Sequence, residues 1–199
     1  MRISKSRNAR RQVAYTVELS EYDAQPPADA WLLDGLPEKI NPELEAVALY
    51  LLFGKWCGGE FTVPQKMGPN TASAISRHAG FDMFPNPIEY YPKPLLKGER
   101  SITLTRNLSK VAAQSLVVLD SANWSGSLKS TSSLVIATNA NLFEAGKAST
   151  SSMLATALLL AEELDMAEVV VDDVYDENVQ GIAELLRQVG VSLKIAGRE

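Results

Sequence analysis

The sequence predicts an α/β protein, of the α+β type, in which two β-α-β-α-β units pack apolar helices against mixed sheets. Apolar residues make up 46% of the 199 residues and charged residues 22%, a balance typical of globular chains with a substantial core. Short β-branched segments alternate with helical patterns that end at glycine. Two stretches of the chain share one order of these elements, which indicates the division into two units.

The first unit is predicted to cover residues 1–110, beginning with a basic N-terminal arm at residues 1–12. Aromatic and β-branched residues predict its strands at 12–22, 30–35 (a short strand or a turn), 58–65 and 100–107. The third of these is expected to end at Pro64, since proline lacks the N–H that a strand ladder uses. The proline-broken segment 81–94 is predicted to form an edge strand and a loop.

Two helices are predicted in the first unit. Asn41 is a typical N-cap and Pro42 suits a first helical turn, so one helix is expected from there to Phe53. The other is expected between Pro69 and Gly80, because glycine commonly follows the last helical residue.

The second unit is predicted to cover residues 111–199 and to form one compact globular body with the first. Its apolar segments predict strands at 112–120, 133–139, 167–173 and 191–197. Helices are predicted at 149–164 and 176–190. Residues 150–164 are apolar on nearly every face, so this helix must be covered on all sides, which favours helices packed inside sheets.

An internal repeat is one explanation of the shared plan. In each unit an apolar helix precedes a strand that starts at a glutamate (Glu60, Glu168), and a second helix ends at a glycine (Gly80, Gly190). By subtraction of their positions, the glutamates lie 108 residues apart and the glycines 110. Chance similarity between two ordinary α/β segments is the other explanation.

Two motifs resemble known proteins. The segment "SSMLATALLLAEEL", the strand after it and "AELLRQVGVSLKI" resemble the repeated unit of the enolpyruvate transferases and of the RNA 3′-terminal phosphate cyclases. The N-terminal Ser-Lys-Ser-x-x-x-Arg pattern resembles the substrate-phosphate motif of the enolpyruvate transferases. The resemblance implies that Ser4, Lys5, Ser6 and Arg10 bind a phosphorylated small molecule, and hydroxyls with cations suit phosphate oxygens. A basic arm without a site is the alternative.

Four acids, Asp172, Asp173, Asp176 and Glu177, stand at the end of the strand at 167–173 and just after it. Carboxylates at the end of a parallel strand can hold Mg²⁺ or a ribose. The interpretation that needs no ligand is that Asp173 or Asp176 caps the next helix, with Glu177 in its first turn. We therefore predict no metal site here, and no cofactor.

Composition and charge argue against several functions. The net charge of −5 disfavours nucleic-acid binding, although the arm with Arg100 or Arg106 offers an RNA-binding alternative. No apolar run reaches the roughly 20 residues of a membrane span.

The single cysteine, Cys57, favours a reducing compartment, so a cytoplasmic protein of bacterial type is expected. His78 is the one histidine, so any triad would have to use it and a His/Cys zinc site is not expected.

The remaining motifs do not predict a reaction. The Gly146-Lys147 pair lacks the glycine spacing and the hydroxyl of a nucleotide phosphate loop. Trp124 either stacks a ligand or a partner or covers a hairpin, and the aromatic residues of 84–94 either form a contact surface or wrap the core. We predict an accessory or binding protein with a protein partner or a homodimer. The alternative is an enolpyruvyl transferase-like enzyme or a binder of a phosphorylated small molecule.

Overall fold

The computed structural model describes residues 1–131, 133–144, 150–172 and 178–196. These residues form helices and a mixed sheet of eleven strands, which confirms the predicted α/β class. The helices are α1 (Pro42–Phe53), α2 (Pro69–Ala79), α3 (Thr150–Leu159) and α4 (Val179–Gln188). The strands are β1 (Arg2–Arg7), β2 (Gln12–Glu18), β3 (Ala30–Asp34), β4 (Glu60–Met67), β5 (Phe84–Ile88), β6 (Arg100–Thr105), β7 (Ser115–Asp120), β8 (Ser127–Lys129), β9 (Ser133–Thr138), β10 (Met166–Val171) and β11 (Ser192–Ile195).

Local signals fix the ends of the first two helices. The side-chain oxygen of Asn41 caps α1 by accepting a hydrogen bond from the N–H of Glu43 at 3.1 Å. The next helix, α2, begins at Pro69 and is followed by Gly80, whose φ of 71° is the left-handed conformation that glycine adopts without strain. Both helices therefore lie where the sequence predicts them.

The helix after the acid cluster begins later than predicted. Its first residue is Val179, and the side chain of Asn178 accepts a hydrogen bond from the N–H of Gly181 at 3.0 Å. The prediction that Asp173 or Asp176 caps this helix is therefore wrong. An asparagine directly before the first helical residue already satisfies an N–H of the first turn, so no acid is needed there.

The sheet has the same strand order in its two halves. One half reads β5-β4-β1-β2-β3, the other reads β11-β10-β6-β7-β9, and the halves meet where β3 pairs with β9. The directions differ at one strand, because β2 is antiparallel to β1 whereas β7 is parallel to β6. This order is what an internal repeat predicts, and the repeat itself stays a prediction. Strand pairing groups β6 with the second unit, although the predicted boundary at residue 110 assigns it to the first.

Two helices are enclosed by the curled sheet. The outer helices α2 and α4 lie over β5 and β11, at opposite ends of the strand order, yet they contact each other. The sheet therefore curls around α1 and α3, which pack together in the interior. Leu158 is 1% exposed and Leu159 is 2% exposed, as expected for a helix with apolar residues on every face.

Two predictions about strands in the first unit are wrong. Residues 2–7 are not a basic arm but a strand between β2 and β4, since Ile3 is buried while its neighbours on the chain are exposed. The strand predicted to end at Pro64 continues to Met67. Proline is tolerated there because no residue between Thr62 and Met67 pairs with β5, so no ladder hydrogen bond is lost.

Side chains join the two halves of the sheet. The backbone pairing of β3 with β9 is limited to Leu33 and Thr138 within the described residues. The Thr138 hydroxyl donates to the carbonyl of Leu32 at 2.7 Å and accepts from the indole N–H of Trp31 at 2.8 Å. The junction is therefore extended by a hydroxyl beyond the point where the backbone ladder stops.

The side chain of Asn139 extends the junction by forming hydrogen bonds with the backbone of β3, as a neighbouring strand would. Its carboxamide oxygen accepts a hydrogen bond from the N–H of Leu32 at 2.7 Å, and its amide nitrogen donates to the carbonyl of Ala30 at 2.9 Å. A side-chain amide thus satisfies two backbone groups of β3 that have no strand partner at this position. Groups of this kind are costly to leave unpaired when they are shielded from water.

We predict that Asn139→Ala lowers the free energy of unfolding by about 2–4 kcal/mol, because it removes both hydrogen bonds to β3. Urea denaturation measures the change. Asn123→Ala is the matched control, since Asn123 is exposed, and it should change stability by less than about 0.5 kcal/mol. A loss below about 1 kcal/mol for Asn139→Ala would contradict the role of this side chain in joining the halves.

Candidate functional site

A cleft opens at the carboxyl ends of three neighbouring parallel strands. Strands β6, β7 and β9 lie side by side, so the residues that end or follow them, Arg106, Asp120 and Thr138, meet at one edge of the sheet. The cleft has a volume of about 490 Å³. Its lining consists of Arg106, Leu108, Val118, Leu119, Asp120, Asn123, Trp124, Thr138, Ala140, Asn141 and Ser152. Ligands of open α/β sheets commonly bind at this edge.

Asp120 organises the turn that follows β7. Its carboxylate accepts hydrogen bonds from the N–H of Ala122 and from the side-chain amide of Asn141, each at 2.8 Å. Its backbone carbonyl accepts from the N–H of Trp124 at 3.0 Å. The turn brings Trp124 to the cleft, where the indole is 41% exposed. Trp124 is therefore available to stack on a ligand.

Asn141 presents an unsatisfied acceptor. Its amide nitrogen is held by Asp120, while its carboxamide oxygen is buried and accepts no hydrogen bond from any residue that the structure describes. A buried acceptor without a donor costs about 1–3 kcal/mol, so this oxygen is a place where a water or a ligand can supply the missing hydrogen bond. Asp120 has acceptor capacity left as well, because a carboxylate accommodates about four hydrogen bonds.

The arginine of the cleft is already neutralised. Arg106 forms a bidentate pair with the carboxylate of Glu144, in which the longer hydrogen bond is 2.9 Å, and it also donates to the Ser152 hydroxyl at 3.2 Å. The Ser152 hydroxyl in turn donates to Glu144. Asp120 forms no ion pair within the described part of the chain, so it gives the cleft a negative charge.

The structure does not bring the predicted phosphate-binding residues together. Ser4 and Ser6 are exposed on one face of β1, whereas Lys5 lies on the face that carries the buried Ile3. Successive side chains of a strand point to opposite faces, so the serines and the lysine cannot hold one ligand from this strand. Arg10 lies beyond the strand, in the turn between β1 and β2.

Lys5 has a structural partner instead. Its ammonium group donates to Glu45 of α1 at 2.7 Å, and the same carboxylate accepts from the Tyr15 hydroxyl at 2.6 Å and from the Gln65 amide at 2.7 Å. Burial, together with the charge of Glu45, raises the pKa of Tyr15. Glu45 is 1% exposed, and a charge so deeply buried needs a cation and further donors. We interpret the cluster as part of the core.

His78 is engaged with Tyr50. Its Nδ1 lies 2.7 Å from the Tyr50 hydroxyl, and the two rings meet edge to face with centroids 5.5 Å apart. Burial raises the pKa of Tyr50 to about 12. Burial also raises the pKa of the Cys57 thiol, which disfavours a reactive thiolate. These contacts connect helices α1 and α2 and lie outside the lining of the cleft.

We predict that the free energy of unfolding of the Tyr50→Phe variant falls less at alkaline pH than that of the wild type. The folded state keeps this phenol protonated after the unfolded chain ionises it, so its contribution is intact below pH 10 and is lost as the pH rises towards 12. At about pH 8 the wild type should have a higher free energy of unfolding than the variant, and at about pH 11 this difference should be smaller. Urea denaturation at the two pH values measures both free energies. Tyr22→Phe, at an exposed position, is the control; a constant difference for Tyr50→Phe would contradict the assignment.

Several predicted sites lie outside the described residues. These are the acids Asp173, Asp176 and Glu177 and the Gly146-Lys147 pair. The absence of metal at the acid cluster therefore stays a prediction. Elsewhere, the described ranges contain no group of three His, Cys, Asp or Glu side chains placed to hold a metal ion. Their helices are also too short or too polar to cross a membrane.

The sequence predicts part of the cleft. It offers Trp124 as a residue that stacks on a ligand or a partner and Arg106 as part of an RNA-binding alternative, but it does not point to Asp120 or Asn141. Asp120 could have been found, because it follows the apolar run of β7 as Asp172 follows that of β10. Asn141 carries no local signal, since its importance comes from its position across the cleft. Comparison of the chain with protein-family models, with curated proteins and with solved structures gave no match.

Proposed function

We propose that this chain is a cytoplasmic binding protein whose small-molecule ligand occupies the cleft between Arg106, Asp120, Trp124 and Asn141. The observation that carries the proposal is the buried oxygen of Asn141, which lacks a donor among the described residues beside a carboxylate with spare acceptor capacity. A bound molecule with hydrogen-bond donors satisfies both groups. The single cysteine supports the reducing compartment.

The charge of the cleft selects the ligand class. Arg106 is held by Glu144, and Asp120 has no ion pair within the described residues, so a phosphate or carboxylate at the bottom of the cleft would meet a like charge. Hydroxyl groups suit the acceptors, and a flat ring suits Trp124. A neutral nucleoside has both features, because its ribose hydroxyls can bind Asp120 and Asn141 while its base stacks on the indole.

Binding without catalysis fits the side chains of the cleft. General acid–base catalysis uses an acid or a base whose pKa is tuned to the reaction, and covalent catalysis uses a nucleophile beside a base. Asp120 is the one ionisable group in the described lining that no opposite charge holds. The enolpyruvyl transferase-like enzyme remains the alternative predicted from the sequence, and the separation of Ser4 and Ser6 from Lys5 gives it no support.

Thermal unfolding in the presence of nucleosides, sugars and phosphorylated metabolites tests the proposal. A ligand at 100 times its Kd stabilises the folded state by about 2.7 kcal/mol. We expect the response from nucleosides, and we expect Asp120→Asn and Trp124→Ala each to weaken calorimetric binding about tenfold or more. Asp82→Asn removes the same charge at an exposed position and should leave the affinity unchanged. A nucleoside that binds Asp120→Asn as tightly as wild type would contradict the assignment.

The predicted protein partner or homodimer is a second candidate function. The aromatic residues of the proline-rich segment are exposed rather than wrapped around the core, with Tyr91 92% exposed and Phe84 64% exposed. Pro85 and Pro87 lie on the edge strand β5, so a partner would meet side chains there rather than add a strand. Light scattering at increasing protein concentration tests self-association. A mass that rises in wild type and not in Tyr91→Ser supports a homodimer through this surface, and a constant monomer mass excludes it.

A further inference from the structure

The turn between β1 and β2 is held in a strained conformation. The Asn8 carboxamide oxygen accepts hydrogen bonds from the N–H of Arg10 at 3.0 Å and of Gln12 at 3.1 Å. Arg11, the last residue of the turn, has a φ of 62°. Glycine adopts this left-handed conformation without strain, whereas an arginine does not. Strained residues of this kind often have a functional role.

Three arginines cluster at this turn without acidic partners. The Arg7 guanidinium donates to the backbone carbonyls of Leu36 at 3.0 Å and Pro37 at 2.7 Å. Arg10 and Arg11 are exposed. None of the three forms an ion pair with a residue that the structure describes, although the chain as a whole carries a net charge of −5. The turn is therefore a local positive site on an acidic protein.

The same arginines line a polar groove of about 970 Å³. Its other walls are the turn after β3, at residues 34–38, and the loop at residues 125–127. These two walls touch at Gly35, where an added Cβ would lie 2.0 Å from the Ser127 hydroxyl. Gly35 also has a φ of 77°. The groove is thus built by three segments that are distant in sequence, together with Glu163.

The groove also contains three acids. Glu163 is paired with Lys129 at 2.7 Å. Asp34 accepts hydrogen bonds from the Gln12 side chain and from the N–H of Gly126, but it forms no ion pair within the described residues, and neither does the exposed Glu38. By formal charge the three arginines exceed these two unpaired carboxylates, so the groove is positive overall.

We propose that this groove binds a small anion that carries two or more phosphate groups. A guanidinium binds phosphate oxygens through paired hydrogen bonds. Arg10 and Arg11 are exposed and can each bind a phosphate in this way, while Arg7, whose Nη2 donates to Leu36 and Pro37, adds its positive charge. The net charge of the chain opposes a long polyanion, whose remaining charges would lie over acidic surface, so a compact oligophosphate fits better than a nucleic acid. The site uses neither Ser4, Lys5 nor Ser6, and it is separate from the cleft of Asp120.

Inorganic tripolyphosphate is the probe, titrated calorimetrically against the full chain, with orthophosphate and a ten-nucleotide oligouridylate in parallel. The decisive variant is Arg11→Gly, which relieves the backbone strain and removes one guanidinium. We expect its Tm to rise while its affinity for tripolyphosphate falls about tenfold. Arg11→Lys keeps the charge but not the paired hydrogen bonds, so its affinity should be intermediate. Arg10→Ala should weaken binding without the rise in Tm.

Arg77→Ala and Arg187→Ala remove the same charge from exposed positions on α2 and α4, and they should leave the affinity for tripolyphosphate unchanged. Three results would overturn the proposal. The first is an Arg11→Gly variant with a higher Tm and an unchanged affinity, which would make the arginine a turn residue only. The second is equal weakening by the two control variants. The third is an oligouridylate that binds more tightly than tripolyphosphate, which would indicate a nucleic-acid surface.

Discussion

The end of β9 holds the two halves of the sheet together, and the remainder of the fold depends on this junction. Thr138 and Asn139 reach across to β3 with side-chain hydrogen bonds where the backbone ladder has almost ended. Because the halves are joined here, the sheet can curl around α1 and α3, which have no polar face to expose. Thr138 also lines the cleft, so the contact that closes the fold positions one wall of the candidate site.

The burial of α1 also affects which polar groups are available to a ligand. Glu45 lies on this buried helix, and its carboxylate must be compensated within the core. Lys5 of β1 supplies the cation, while Tyr15 and Gln65 supply the remaining donors. A cation committed in this way is not free to bind phosphate, although its sequence motif suggests that role. Polar groups with unused capacity lie instead where strands end, at Asp120 and Asn141.

The sequence predicts those features that depend on neighbouring residues. Asn41 and Pro42 fix the start of α1, and Gly80 marks the end of α2, because capping involves groups a few residues apart. The strand at residues 2–7 escapes prediction because Lys5 occupies an inward position that usually holds an apolar residue, and its partner Glu45 is far away in sequence. The junction and the cleft depend on equally distant contacts, such as the one between Asn141 and Asp120. Of the residues that line the cleft, the sequence points only to Trp124 and Arg106.

The two candidate sites share one segment of chain. The loop between β7 and β8 contributes Trp124 to the cleft, and it contributes Ser125 and Gly126, next to Ser127 at the start of β8, to the arginine groove. Its ends are fixed by two carboxylates, because Asp120 binds the N–H of Ala122 and Asp34 binds that of Gly126. Any displacement of this loop that improves one site changes the geometry of the other. Thermodynamic linkage is reciprocal, so if a ligand in the cleft changes the affinity of the groove, a ligand in the groove changes the affinity of the cleft by the same factor. Two local departures from ordinary rules, the left-handed backbone of Arg11 and the unsatisfied oxygen of Asn141, belong to the sites that this segment lines, and such departures are expected at functional sites.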